Sequence, residues 1–229
     1  ETSVILSIYT ENMGKIKGVL KGVRSEKSKI APLTFQPGSH IFTLIYKKRG
    51  ELNLFSSPSL LNNFEIKEKK NSNVWFYILN LLDIFTPENL QDNKILQLTL
   101  EIGNYLEKAS NPEIVLTFFK TKFIKSLGYG FHLEKCISCN KEDKMYFFSG
   151  KLGGIICRNC NKKDINAVRI SFPVLKIMRM FDTLDFDKIK IIKSIHKDIL
   201  NKLNFYINTT LHFHSDIDKI WWENEKNLI

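Results

Sequence analysis

The sequence predicts an α+β chain in two parts. A small curved β domain covers residues 1–62, and an all-helical domain covers 63–229 with a four-cysteine ribbon inserted at about 134–165. Three observations predict it. Short β-branched segments broken by Asn and Gly fill the first sixty residues. Apolar residues recur at helical spacing from about Asn63. Four cysteines fall within 25 residues, as Cys136-Ile-Ser-Cys139 and Cys157-Arg-Asn-Cys160.

In the β part, Thr2–Tyr9 is rich in β-branched residues, and the Asn and Gly of Thr10–Gly14 mark a turn. Lys15–Val23 alternates Lys15, Lys17 and Lys21 with Ile16 and Leu20, as a half-buried strand does. Gly18 and Gly22 within it predict bulges or bends. Ser39–Lys48 and Glu51–Ser56 flank Arg49-Gly50, a hairpin signal. Short antiparallel strands with no helix between them make a small barrel or sandwich. The chain begins at Glu1, on the approach to a strand and with no secretory signal, so a preceding segment that adds a fifth barrel strand is expected.

In the helical part, Val74–Phe85 is apolar nearly all round, which predicts a buried helix closed by Thr86-Pro87. Leu90–Leu106 carries Ile95, Leu98, Ile102 and Leu106 at helical period. Asn111-Pro112-Glu113 supplies an N-cap, a Pro at the first helical position and an early acid, and Gly128 stops that helix. Beyond Cys160 one helix is expected from Ser171-Phe-Pro173 to Phe181, and another over Asp187–Leu211. The segment with Trp221 and Trp222 has no clear period.

The cysteine spacing is C-x2-C-x17-C-x2-C. Each C-x2-C turn aims two sulfurs at one point, and a hairpin of Met145–Phe148 and Gly153–Ile156 brings the two turns together. Cys136, Cys139, Cys157 and Cys160 are thus the expected ligands of one structural Zn2+ per chain, with no open coordination position. The competing readings are two disulfides, four free cysteines, or an iron–sulfur cluster. Six cations between residues 136 and 163 (Lys141, Lys144, Lys151, Arg158, Lys162 and Lys163) either offset the thiolate charge or add a nucleic-acid contact.

Lys and Arg number 34 against 24 Asp and Glu, a formal charge of +10. Its placement says more than its size. Residues 1–70 hold 12 cations and 6 acids, 71–135 hold 6 and 7, and 136–229 hold 16 and 11. Lys15, Lys17, Lys21, Arg24, Lys27 and Lys29 form a strip suited to a phosphate backbone, with Lys47, Lys48 and Arg49 at a hairpin tip. Tyr9, Phe35, Phe42, Tyr46 and Phe55 are either core residues or stacking platforms for bases.

No apolar run reaches the roughly 18–20 residues of a membrane span, and an intracellular protein is expected. No nucleotide-binding glycine loop and no G-x-S-x-G is present, so no enzyme is expected. His212-Phe-His214 with Asp216 and Asp218 imitates a metal or acid–base cluster, and reads more simply as a polar helix end. Asp182, Asp185 and Asp187 read as an inter-helix loop and N-cap. His132 stands near enough to Cys136 to substitute for a ligand, which four cysteines make unnecessary.

Several segments resemble one bacterial family, the DNA repair protein RecO. Met13–Arg24 (MGKIKGVLKGVR) is similar to the basic segment of that family's OB-fold domain. Leu82–Glu88 (LDIFTPE) is similar to a helix-ending stretch. Phe119–Cys139, with Leu127-Gly-Tyr129, Leu133, Cys136 and Cys139, resembles the approach to its zinc site. Phe148-Ser149 and Gly153–Cys157 resemble the second half of that site. Gly130-Phe131 replaces the family's usual Pro, the family's first strand precedes Glu1, and the tail from His212 matches nothing.

The resemblance implies an OB-like barrel that binds single- and double-stranded DNA and anneals complementary strands. It further implies loading of recombinase with RecR, contact with the C-terminal tail of single-strand-binding protein, and a cytoplasmic, nucleoid-associated location. The alternatives are a zinc-ribbon protein-interaction module, which would not bind DNA at low salt, and a nucleic-acid-modifying enzyme, which needs a second polar cluster in a cleft.

Overall fold

The structure is a computed structural model that describes residues 2–25, 28–48, 50 and 52–213. The chain divides into two compact units, residues 1–109 and 110–229. The change from strand to helix comes at about residue 62. The division between units comes later, because two helices belong with the sheet.

The first unit opens with β1 (Val4–Thr10), β2 (Gly14–Leu20), β3 (His40–Tyr46) and β4 (Asn53–Asn62). They form one sheet in the order β1-β2-β4-β3. β1 and β2 are antiparallel, β2 and β4 parallel, β3 and β4 antiparallel. These are the order and directions of the second, third, fifth and fourth strands of a five-stranded OB barrel. Ile16, Leu20, Val23 and Phe55 fill its core, backed by Val4, Leu6, Ile8, Phe35 and Ile45.

Gly22 bends the chain just past β2 with a left-handed φ of 72°, as expected, but Gly18 acts differently. Gly18 keeps regular register, opposite Leu6 and Asn53. A Cβ there would lie 2.5 Å from the Phe55 ring, so the glycine makes room for a core aromatic instead of a bulge. The irregularities fall between β3 and β4, at His40/Ile41 and Phe42/Leu44.

Helices α1 (Lys69–Phe85) and α2 (Asn93–Leu106) complete this unit. α1 is less buried than its apolar content predicts. Val74, Trp75, Tyr77, Ile78, Leu81 and Leu82 are inside, yet Phe76 is 54% exposed. Trp75 meets Phe64 edge to face at 5.0 Å. Asp92 caps α2, accepting from the Lys94 and Ile95 amides at 3.0 and 3.1 Å. The buried Asn71 amide donates to the carbonyls of Leu106 (2.7 Å), the last residue of α2, and Ala109 (3.0 Å), just beyond it.

The second unit is built on α3 (Pro112–Ser126), which is buried on nearly every side. Its Thr117 and Thr121 read as polar in sequence but spend their hydroxyls on the carbonyls one turn back, at 2.8 and 3.0 Å. Fully buried Lys120 donates to Asn208 Oδ1 at 3.2 Å. A three-stranded antiparallel sheet follows, with β5 (Tyr146–Ser149) between β6 (Gly154–Cys157) and β7 (Val168–Ile170). Then come α4 (Phe172–Thr183), α5 (Phe186–Lys190) and α6 (Lys197–Phe213).

The single helix expected over Asp187–Leu211 is therefore two. The Asn111 amide donates to Ile192 O at 3.3 Å and also to Lys193 O, so that segment's carbonyls serve a tertiary contact instead of a helical ladder. No helix among the described residues is long and apolar enough to cross a membrane.

Candidate metal centre and nucleic-acid interface

The ribbon assembles the cysteines from two turns on one hairpin. Cys136 opens a tight turn in which the Asn140 amide donates to Cys136 O at 2.7 Å, and Asn140 takes a left-handed φ of 57°. The Ile137 amide donates to Ile155 O at 2.9 Å, tying this turn to β6. Cys157 ends β6 opposite Tyr146, and Cys160 lies in the short 3-10 helix Arg158–Lys163. Cys136 and Cys157 are buried together with Ile156, while Cys139 and Cys160 lie nearer the surface.

All four sulfurs lie within 4.8 Å of one another. The Sγ atoms of Cys139 and Cys157 are 3.7 Å apart, and all four cysteines are free. A disulfide would need about 2.05 Å. A tetrahedron with metal–sulfur bonds of about 2.3 Å has edges of roughly 3.8 Å, so the four thiols fit one metal ion. His132 is exposed and outside this group.

The thiols are already unequal. Burial pushes Cys136 up, but the amides of Cys157, Cys139 and Ser138 and the Cys139 thiol outweigh it and bring it to about 6. Cys160 is pushed up to about 12, by burial first and then by hydrogen bonding with the other three thiols. A bound divalent ion would favour the thiolate at all four.

Asp143 is the residue that the spacing of the cysteines did not reveal. Its Oδ2 accepts the Arg158 amide at 3.0 Å, and its Oδ1 accepts the Lys144 amide at 2.7 Å. One carboxylate thereby clasps the loop after the first cysteine pair to Arg158, the residue that follows Cys157. Those amides, Arg158 first, hold its carboxyl below the usual range. The Asp143→Ala protein should bind metal about 10- to 100-fold more weakly, as is typical when an outer hydrogen-bond partner is lost. Competition with a chromogenic chelator measures this; an unchanged affinity would make the clasp irrelevant to the centre. The six nearby cations, Lys141, Lys144, Lys151, Arg158, Lys162 and Lys163, are all exposed.

The basic residues of the first unit do not form one strip. The inward face of β2 carries Ile16, Gly18 and Leu20, so Lys15 and Lys17 point the other way, under the segment from Asp83 to Asp92. Lys15 is only 8% exposed and donates to the Asp83 main-chain carbonyl. Burial draws its ammonium below the usual lysine range, opposed by Asp83. Lys17 pairs with Glu88 at 2.9 Å. Ser7 Oγ donates to Asp83 Oδ1 at 2.7 Å, the Asn89 amide to Lys15 O at 2.9 Å, and Gln91 Nε2 to Glu11 O at 2.6 Å. Burial, and then the Asp92 carboxylate, holds the Tyr9 hydroxyl up at about 12.

Lys21, Arg24 and Lys29 are exposed beyond the Leu20 end of the β2–β4 ladder. Lys47 and Lys48 are exposed beside its Gly18–Asn53 end. Lys27 and Arg49 lie outside the described residues. Of the five aromatics, Phe55 is core, Tyr9 and Phe35 are half-buried, and Phe42 and Tyr46 are exposed. Of the polar cluster near the end of the chain, only His212 is described; His214, Asp216 and Asp218 lie outside. Asp182 accepts from Lys125 at 3.0 Å, and Asp185 precedes α5.

Comparison with known proteins covers nearly the whole chain. Residues 1–64 match the family described as "Recombination protein O N terminal", and residues 72–216 match "Recombination protein O C terminal". A protein named "DNA repair protein RecO" from Dehalococcoides mccartyi (strain CBDB1) is 29% identical over 222 residues, 93% of this chain and 84% of that protein. Its namesake from Listeria welshimeri serovar 6b is 28% identical over 236 residues, 98% and 91% of the two chains. Another, from Halalkalibacterium halodurans, is 24% identical over 196 residues, 82% and 74%.

Proposed function

Since the chain belongs to the recombination protein O family, a family of DNA repair mediators and not of enzymes, we propose that it binds single- and double-stranded DNA and anneals complementary strands. The observation that carries this is the set of exposed cations beside the OB-like sheet: Lys21, Arg24 and Lys29 after β2, and Lys47 and Lys48 after β3. Exposed cations in two groups hold phosphates while screening the repulsion between strands, and counterion release drives the binding. No bond is made or broken. Lys15 and Lys17 act differently, fastening the sheet to the segment that covers it.

The metal of this proposal is zinc. Four sulfur donors at tetrahedral spacing suit a soft, redox-inert ion, and the closed shell makes its role structural. Membership of the family supports RecR and the tail of single-strand-binding protein as partners in loading recombinase. It equally supports a cytoplasmic location with the nucleoid.

Annealing of two complementary oligonucleotides, followed by fluorescence quenching, tests the reading. The protein should accelerate duplex formation at low salt, and the acceleration should fade as salt rises. If it neither binds DNA nor speeds annealing at low salt, the family's protein-interaction role alone would remain.

A further inference from the structure

The face on which OB folds hold oligonucleotides is partly closed in this protein. That face lies on the second and third strands, assisted by the loop between the fourth and fifth. Here those strands are β1 and β2, and the Asp83–Asp92 segment covers the region around Ser7, Tyr9, Lys15 and Lys17. Lys47 and Lys48, which follow β3, are exposed.

Beside these lysines the sheet exposes something unusual for a surface. Phe42, Leu44 and Tyr46 alternate along β3 and are 55%, 44% and 54% exposed. Ile45 between them points into the core. Across the ladder, Phe42 faces Ser59 and Leu44 faces Ser56, small residues that leave the neighbouring side chains uncovered. Contiguous exposed apolar side chains of this kind mark interaction surfaces.

We propose that this outer face of β3 is a base-stacking platform for single-stranded nucleic acid. Phe42 and Tyr46 would each carry a base, Leu44 would fill the space between, and Lys47 and Lys48 would hold the phosphates at the strand's end. The charge argues for this occupant. The unit is cationic, the exposed lysines follow Tyr46 directly, and aromatic faces beside a basic loop are how sequence-neutral single-strand binders work. A duplex hides its base faces and would gain only from the lysines. The inference rests on the DNA-binding reading above and names where and how the single strand lies.

The test compares Phe42→Ala, Tyr46→Ala, Phe42→Leu and Phe42→Tyr proteins with the unaltered protein on a labelled oligothymidine and on a duplex, at several salt concentrations. Each alanine substitution should weaken single-strand binding roughly five- to hundred-fold, leaving the salt slope and duplex affinity unchanged. Phe42→Leu keeps an apolar side chain and should still lose single-strand affinity, whereas Phe42→Tyr should retain it. Equal losses on single strand and duplex would overturn the proposal, as would no loss at all. So would a shift of the unaltered protein from oligomer to monomer on Phe42→Ala, because the face would then belong to a second copy. Circular dichroism and metal content establish that each variant is folded. If the unaltered protein binds no DNA, the broader reading fails; if it binds and the variants match it, only the platform fails.

Discussion

Serine at Cys136 or Cys157 should abolish metal retention and unfold the ribbon, the largest effect expected of any single substitution here. Both residues are buried, 1% and 4% exposed, in a small cluster whose other fully enclosed member is Ile156. A ribbon of two four-residue strands and one of three has too little apolar surface to fold unaided. Metal binding in such sites couples on the order of 10 kcal/mol to folding. The damage should not stop at the ribbon. The Arg179 guanidinium on α4 donates to Leu133 O at 2.9 and 2.6 Å, linking that helix to the approach to Cys136. Metal analysis should fall from one ion per chain to near zero, and limited proteolysis should cut within residues 134–165. Full metal content, or an unaltered cleavage pattern, would refute a structural centre.

The second large effect is electrostatic. Reversing Lys21, Arg24, Lys29, Lys47 and Lys48 to Glu together should reduce DNA affinity by orders of magnitude at low salt. If each of the five contacts one phosphate, the slope of log affinity against log salt should fall by about 0.7 per residue on single strands, roughly 3.5 in all. Lys15→Met is the informative comparison. Its ammonium is bonded to Asp83 beneath the covering segment, so the change should lower stability and leave the slope alone. Binding titrations at four or five salt concentrations measure both. A Lys15→Met slope reduced as much as that of an exposed lysine would show that the covering segment opens to admit DNA.

The metal centre was legible because its chemistry is local. Two C-x2-C turns bring their sulfurs together whatever the rest of the chain does. Asp143 was not legible, since an acid near a cysteine pair has no distinguishing pattern until the Arg158 amide is seen to point at it. Strand alternation placed Lys15 and Lys17 correctly on the face away from the core. It could not show that Asp83 and Glu88, about seventy residues further along, would lie over that face. The aromatics failed in the same way. Composition marks Phe55 and Phe42 alike, and only the register separates the residue beneath Gly18 from the one left bare. The central position of α3 was masked by Thr117, Lys120 and Thr121, whose polar groups are satisfied within the fold.

The segment that lies over β1 and β2 also sets how the first unit comes apart. Its bonds run from Ser7, Lys15 and Lys17 to residues at and beyond the end of α1. Sheet and helices therefore share one cooperative transition, and their slowest-exchanging amides should report a common opening free energy. Cutting the chain where strand gives way to helix would not free a self-sufficient barrel. It would strip the sheet of its cover, leave Lys15 without its acceptor, and expose Tyr9. The compact unit at this end of the protein runs through Ala109.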